Sequence, residues 1–321
     1  MTQPGISRDT ARPAWRRWVG TILLVIALGY LAYTLRDEVD EMQAALARIS
    51  VAGFLAATAL ALVMCYLKAI YHRTLLSRIS GRHEHLEAVV PAYAQAQVVR
   101  YLPGKVWGLV HQANKLSSLF TPQQVMLANL LQMLVTNLMA VGIIGSILAA
   151  HLTGQAWLLL GLPLTLLVVE ALHRRPVLEQ SIVTLAMKAS RGRFGTQDLA
   201  RTPIAPIPWR GTALLCLEWI AFYAMWLVAA DGWLAMPDLL LLGTWYAAAS
   251  LLGIVAIAVP AGMIVREALF VSLGGLSAYP EGLLLVLAAA LRIVMTLGEL
   301  ALIPIALLVS RLGGKPGARH G

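Results

Sequence analysis

The chain is short of charge. Asp, Glu, Lys and Arg make up only 13% of its 321 residues, against about 25% in soluble globular domains. So few charges cannot solvate a globule, which argues against a soluble enzyme, a disordered protein and a nucleic-acid-binding domain. Cysteine is nearly absent. Cys65 and Cys216 both fall in apolar runs, too few for a zinc site or a disulfide framework, and read as small packing residues. A glycine-rich phosphate loop closed by Lys-Ser/Thr is missing, and so is any arguable Ser-His-Asp order. His83-Glu84-His85 resembles a metal cluster, but neighbours two apart on a helix do not face each other. No metal and no cofactor is implied.

What is present is apolar length. Hydrophobic residues make up 59% of the chain, with a mean hydropathy of +0.74. They gather into runs near the ~20 residues that a helix needs to cross a bilayer. The runs are 18–35, 51–71, 125–150, 156–172, 211–230, 239–259 and 281–310. This pattern predicts an all-α polytopic transmembrane helix bundle. The net charge of +9 sits between the runs, as the positive-inside rule places it. Arg8, Arg12, Arg16 and Arg17 precede the first run, and Lys68, Arg73, Arg78 and Arg82 end the second. Residues 1–17 are therefore expected as a cytoplasmic basic tail, 18–310 as one membrane domain and 311–321 as a second basic tail. The membrane domain divides into halves 18–172 and 210–310, joined by a cytoplasmic loop at 173–209. The expected location is a bacterial cytoplasmic (inner) membrane with the N-terminus in the cytoplasm. The acidic stretch 36–50 has helical apolar spacing and suits the outer surface. Most of the nine tryptophans fall near run ends, as an aromatic belt does.

Two segments are irregular. Residues 88–116 hold Pro91, Gln95, Gln97, Arg100, Pro103-Gly104, Lys105 and Gln112; residues 260–279 hold Pro260-Ala261-Gly262, Arg266-Glu267 and Gly274-Gly275. Non-helical backbone at membrane depth is tolerated only inside protein or beside a cavity, so each is a broken helix or a re-entrant hairpin. About eight crossings result, with charge parity leaving open whether 260–281 crosses or re-enters. The layout of two runs, a break and a further run occurs twice, which is the sequence sign of a transporter repeat. A helix interrupted in the membrane exposes unpaired N–H groups and a positive dipole end that can hold an anion. Pro103, Gly104, Pro260 and Gly262 are the helix-breaking candidates.

Ionisable residues at depth are costly and mark function. Arg100, Lys105, Arg266, Glu267, Arg292 and Glu299 are the substrate-binding candidates. Arg292 and Glu299, seven apart, share one helix face. Glu170 lies near a run end where it can snorkel, whereas Glu218 lies deeper. No catalytic residue is assigned. Gly142 and Gly145-Ser146 read as close helix packing.

Arg100-Tyr101-Leu102-Pro103-Gly104-Lys105-Val106-Trp107-Gly108 resembles a signature of the flippase-like integral membrane proteins that share the transmembrane domain of lysylphosphatidylglycerol synthase. Val259-Pro260-Ala261-Gly262-Met263-Ile264-Val265-Arg266-Glu267-Ala268 resembles that family's second signature, with Ala261 and Ile264-Val265 where glycines are usual. The resemblance covers about 18–310 and implies a lipid-translocating or lipid-binding membrane module. It does not carry over the synthase activity. Neither the loop 173–209 nor the tail after Ser310 is long enough for an independently folding domain, which needs upwards of about 40 residues. The expected function is to bind and translocate an anionic-headgroup lipid or lipid-linked sugar carrier between leaflets. The alternatives are a membrane-embedded transferase with Glu267 as its base, or a non-transporting partner of envelope-biosynthesis proteins. The expected partners are thus a membrane lipid or lipid-linked carrier, with no nucleic acid.

Overall fold

The computed structural model describes residues 39–81, 86–99, 107–177, 180, 181, 184, 206, 209–230, 234–253, 265–275 and 279–313. The expected run 18–35, the N-terminal tail, the C-terminal tail beyond 313, most of the loop 173–209 and the cluster His83-Glu84-His85 lie outside the described residues. Every regular element among the described residues is helical. In chain order they are α1 (Val39–Arg48), α2 (Val51–Ser80), α3 (Leu86–Val99), α4 (Trp107–Lys115), α5 (Pro122–Thr153), a 3₁₀ turn at Ala156–Leu160 leading into α6 (Gly161–Arg174), α7 (Arg210–Ala229), α8 (Met236–Gly253), α9 (Val265–Gly274) and α10 (Glu281–Gly313). Among the described residues, five stretches are long and apolar enough to cross a membrane: α2, α5, the Ala156–Arg174 unit, α7, and α10 through Val309.

Local chemistry sets the helix ends. Ser50 caps α2 by accepting a hydrogen bond from the Gly53 N–H, and Gly81 ends it with a φ of 68°. Thr121 and Gln124 form a reciprocal capping box at the start of α5, beside Pro122, and Gly154 ends it with a φ of 69°. These left-handed positions favour glycine, which has no Cβ to clash. At 30 residues, α2 is about 45 Å long, so it runs well past the end at 71 expected from the basic residues. Pro91, expected as part of a break, lies inside α3, where its missing N–H removes one helix bond.

Helix α2 is the hub and packs against α3, α5, α7 and α10. Arg78 Nη2 donates to the carbonyl oxygen of His173 at 3.4 Å, and His173 Nδ1 meets Thr212 Oγ1 at 2.9 Å. These contacts gather the C-terminal ends of α2 and α6 and the N-terminal end of α7 at one end of the bundle, here called the basic end. At the opposite end, Gly53 of α2 lies against the carbonyl of Val228 of α7. Helix α10 runs parallel to α2, with Gly298 against Ala61 and Leu302 and Ala306 clustered with Cys65 and Ala69.

The first irregular segment is a pair of helices, whereas the described part of the second is the single helix α9, paired with α8 from the expected run 239–259. Helices α3 and α4 pack on each other and are joined by His111 Nε2 and Gln95 Oε1 at 3.0 Å. Helix α3 follows the basic end of α2. Leu116 and Phe120, after α4, cluster with Leu75 and Ile79 of α2 and Val125 of α5. The pair α3–α4 therefore leaves from the basic end and returns to it. Helices α8 and α9 pack on each other too. Gly253 lies beside Arg266, and Gly274 packs on Leu284 of α10. Tyr279, just before α10, hydrogen-bonds Asp238 near the start of α8. This second pair leaves from the opposite end and returns to that end.

The tryptophans divide. Trp107, Trp157 and Trp209 are exposed, as a belt requires, but Trp226 and Trp245 are buried core residues. Trp226, Tyr246 and Phe270 form one aromatic cluster, with ring centroids 5.4–5.8 Å apart. This cluster ties α7, α8 and α9 together, so the belt assignment fails for these inward-facing rings.

Candidate functional site

A partly open cavity of about 380 Å³ lies where α2, α3, α5, α7, α8 and α10 meet. Part of its wall is apolar and aromatic: Met64, Met133, Trp219, Phe222, Tyr246 and Met295. The rest is polar. Gln97 comes from the end of α3, Asn129, Gln132, Thr136 and Asn137 from α5, and Ser250 from the end of α8. Three residues of the Lys, Arg, Asp and Glu types complete it: Lys68, Glu218 and Glu299. Lys68, Asn137, Glu218 and Glu299 each lie near the middle of a long apolar helix, so the cavity sits at mid-depth in the bundle.

Lys68 Nζ lies 3.3 Å from Glu218 Oε1, pairing α2 with α7. The side chains are 33% and 12% exposed, and both line the cavity. The sequence pattern marked Lys68 as a cytoplasmic flank of its run. The structure corrects this, because α2 continues for three further turns and holds Lys68 inside the bundle.

Behind the polar wall is a directed network of amides. The Val125 carbonyl can only accept, so Asn129 presents its Nδ2 to it at 2.8 Å and also donates to Gln112 Oε1 at 2.8 Å. Gln112 then donates from Nε2 to His72 Nε2 at 2.8 Å. His72 donates from Nδ1 to Gln132 Oε1 at 2.8 Å. Gln132 donates from Nε2 to Tyr93 Oη at 3.1 Å and to the Lys68 carbonyl at 3.3 Å. Each donor and acceptor assignment follows from its neighbour, and the chain requires a neutral His72 with its proton on Nδ1. The fully buried His72 thus joins the arms of the first broken segment to α2 and α5.

A second network closes the basic end. Tyr71 Oη donates to His173 Nε2 at 2.9 Å, His173 Nδ1 donates to Thr212 Oγ1, and Thr212 donates to Glu170 Oε2 at 2.5 Å. Glu170 also holds Arg174 at 2.6 Å. Glu170 is therefore a joint between α6 and α7 as well as a residue near a span end.

The sequence candidates distribute unevenly. Glu299 lines the cavity and is 7% exposed, and Glu218 faces the same space. Arg266 and Glu267 pair with each other at 2.7 Å, and the Arg266 guanidinium lies 4.7 Å from the centre of the Tyr246 ring. That pair sits one layer behind the cavity wall. Arg292, half-buried, is on α10 but off the lining. Arg100, Pro103, Gly104, Lys105, Pro260 and Gly262 lie outside the described residues. Their flanking arms are described, and Gln97 of α3 and Ser250 of α8 reach the same cavity. Sequence reasoning missed Lys68, His72, Gln112, Asn129 and Gln132. Among the described residues, no group of three or more His, Cys, Asp or Glu is arranged to hold a metal ion.

No family model matches the chain, and no curated protein sequence matches it.

Proposed function

We propose that this protein binds the headgroup of an anionic lipid or a lipid-linked sugar carrier in the mid-depth cavity and passes it between leaflets, its acyl or prenyl chains remaining in the bilayer. The observation that carries this reading is the lining: an ion pair and a row of amides at membrane depth, reached by the arms of both broken segments. Transporter sites sit near the midplane, between repeats of opposite orientation built on discontinuous helices. The unit α2, α3–α4, α5 has its hairpin at the basic end, and the unit α7, α8–α9, α10 has its hairpin at the other. With the basic end in the cytoplasm, the chain would make six full crossings, the expected run 18–35 included, and two hairpins, in place of the about eight crossings expected from sequence, because α8 serves as a hairpin arm and not as a crossing. The N-terminus and the tail after α10 are then both cytoplasmic, which suits their basic charge in a bacterial inner membrane. The resemblance to the flippase-like membrane proteins points to the same substrate class. The transferase alternative is weaker, because its base, Glu267, is paired with Arg266 behind Tyr246.

The test is a leaflet-exposure assay in proteoliposomes with fluorescent phosphatidylglycerol and chemical quenching from outside. The wild-type protein should make inner-leaflet probe accessible faster than protein-free vesicles do, and Lys68→Ala should slow this at least tenfold. Equal rates with and without protein, or an unaffected Lys68→Ala variant, overturn the proposal.

A further inference from the structure

The ion pair in the cavity raises a question of charge balance. Lys68 and Glu218 come from different helices, lie 3.3 Å apart, and together are neutral. An anionic headgroup would take Lys68, the more exposed of the two. Lys68 is the one ionic partner of Glu218 among the described residues. Engaging Lys68 with a phosphate would leave a carboxylate at mid-depth beside a new negative charge, and an uncompensated buried charge is strongly unfavourable.

Among the described residues, the groups around Glu218 offer no second cation to replace Lys68. On α2, His72 is committed as a neutral ring between two amides. On α10, Glu299 adds another carboxylate to the same cavity, and α8 contributes Tyr246. Helix α5 presents amides and a hydroxyl. On α6, His173 and Glu170 bond Thr212, two helical turns from Glu218 along α7. On α7 itself, the neighbours Cys216 and Tyr223 carry no positive charge. Glu218 also sits too deep along α7 to reach interfacial water by snorkelling. With the described groups accounted for, a proton is the remaining counter-charge.

We propose that an anionic headgroup displaces Glu218 from Lys68 and that Glu218 takes up one proton from water in the same step, so that headgroup and proton occupy the site together. The step moves no electrons. The Lys68 ammonium keeps its proton and exchanges a carboxylate partner for a phosphate, while the Glu218 carboxylate becomes a carboxylic acid that donates a hydrogen bond within the cavity. Release reverses both changes, so headgroup movement would draw on a proton gradient. This inference rests on the cavity being the headgroup site.

The experiment is titration calorimetry of the full chain in detergent micelles, with short-chain phosphatidylglycerol as probe and buffers of different ionisation enthalpy. The dependence of the binding heat on buffer should report about one proton taken up per lipid bound, and affinity should fall about tenfold per pH unit where Glu218 of the free protein is ionised. Glu218→Gln should bind without proton uptake and with an affinity independent of pH. The double variant Lys68→Met/Glu218→Gln replaces the pair by neutral groups of similar shape, should remain folded, and should lose at least tenfold in affinity. Lipid binding to the wild type without proton uptake overturns the coupling and leaves the headgroup site standing. Proton uptake that persists in Glu218→Gln also overturns it. Absence of any lipid binding removes both the coupling and the headgroup site. A short-chain phosphatidylethanolamine that binds in place of phosphatidylglycerol, with no proton taken up, would mean that Glu218 stays charged against an amine and would likewise overturn the coupling.

Discussion

Replacing Gly298 by alanine should separate the two helices that carry Lys68 and Glu299. A Cβ at Gly298 would stand 2.8 Å from Ala61 Cβ and 2.9 Å from both the Ala61 carbonyl carbon and the Leu62 nitrogen. Ordinary contact begins near 3.4 Å, and two of the three obstructing atoms are backbone, so no rotamer change relieves the clash. Helix α10 must move off α2 by roughly half an ångström or more, a strain typical of overpacked cores at about 1–3 kcal/mol. For a chain of this size that lowers the melting temperature by about 2–4 °C per kcal/mol. Cys65 is buried beside this seam, clustered with Ala69, Tyr93 and Leu302. A thiol-reactive fluorophore would report its exposure on heating, in a Cys216→Ala background. The matched control is Gly145→Ala on α5, where a new Cβ meets nothing within 4 Å. Its gain in helix propensity, about 0.5–1 kcal/mol, should leave stability unchanged or raised. Equal melting temperatures for the two variants would refute the close approach of α2 and α10.

Gln132→Leu removes an amide that accepts from His72 and donates to Tyr93 and the Lys68 carbonyl. It should lower stability by about 1–3 kcal/mol, the usual cost of stranding buried polar groups, read as thermal unfolding in nanodiscs. Tyr279 lies outside the five spans. Burial first, then its hydrogen bond to Asp238 and the charge of that residue, pushes its phenol up to about 12. The folded state thus holds the proton more tightly than a free phenol near 10 does. The stability this contributes is present in full below about pH 10 and is lost as pH rises through about 12. Melts of wild type and Tyr279→Phe across that window should converge at its upper end; a constant difference would contradict the pairing.

Most of the helix layout was legible because apolar length alone decides what can cross a bilayer. Runs at 125–150, 211–230 and 281–310 foretell α5, α7 and α10 to within a few residues. The run at 156–172 differs only in its opening 3₁₀ turn. The end of α2 was hidden because Lys68, Arg73 and Arg78 look alike in sequence, although Lys68 faces a cavity and Arg78 holds the His173 carbonyl. Only tertiary packing separates them. One signal was readable: Asn129, Gln132, Thr136 and Asn137 interrupt an apolar run at helical spacing and mark a polar stripe. Trp226 and Trp245 misled because position along a helix says nothing about which face a ring takes. Arg266 and Glu267 are adjacent, and neighbours on a helix rarely face each other; their pairing depends on the space behind Tyr246.

A single headgroup site requires that the arms of both broken segments reach one cavity. In a chain freed of its native thiols by Cys65→Ala and Cys216→Ala, Gln97→Cys and Ser250→Cys should be joined within one molecule by a short bis-maleimide, and bound phosphatidylglycerol should slow the reaction. Efficient single labelling at each position with no intramolecular cross-link, whatever the linker length, would place α3 and α8 at separate sites and contradict the account.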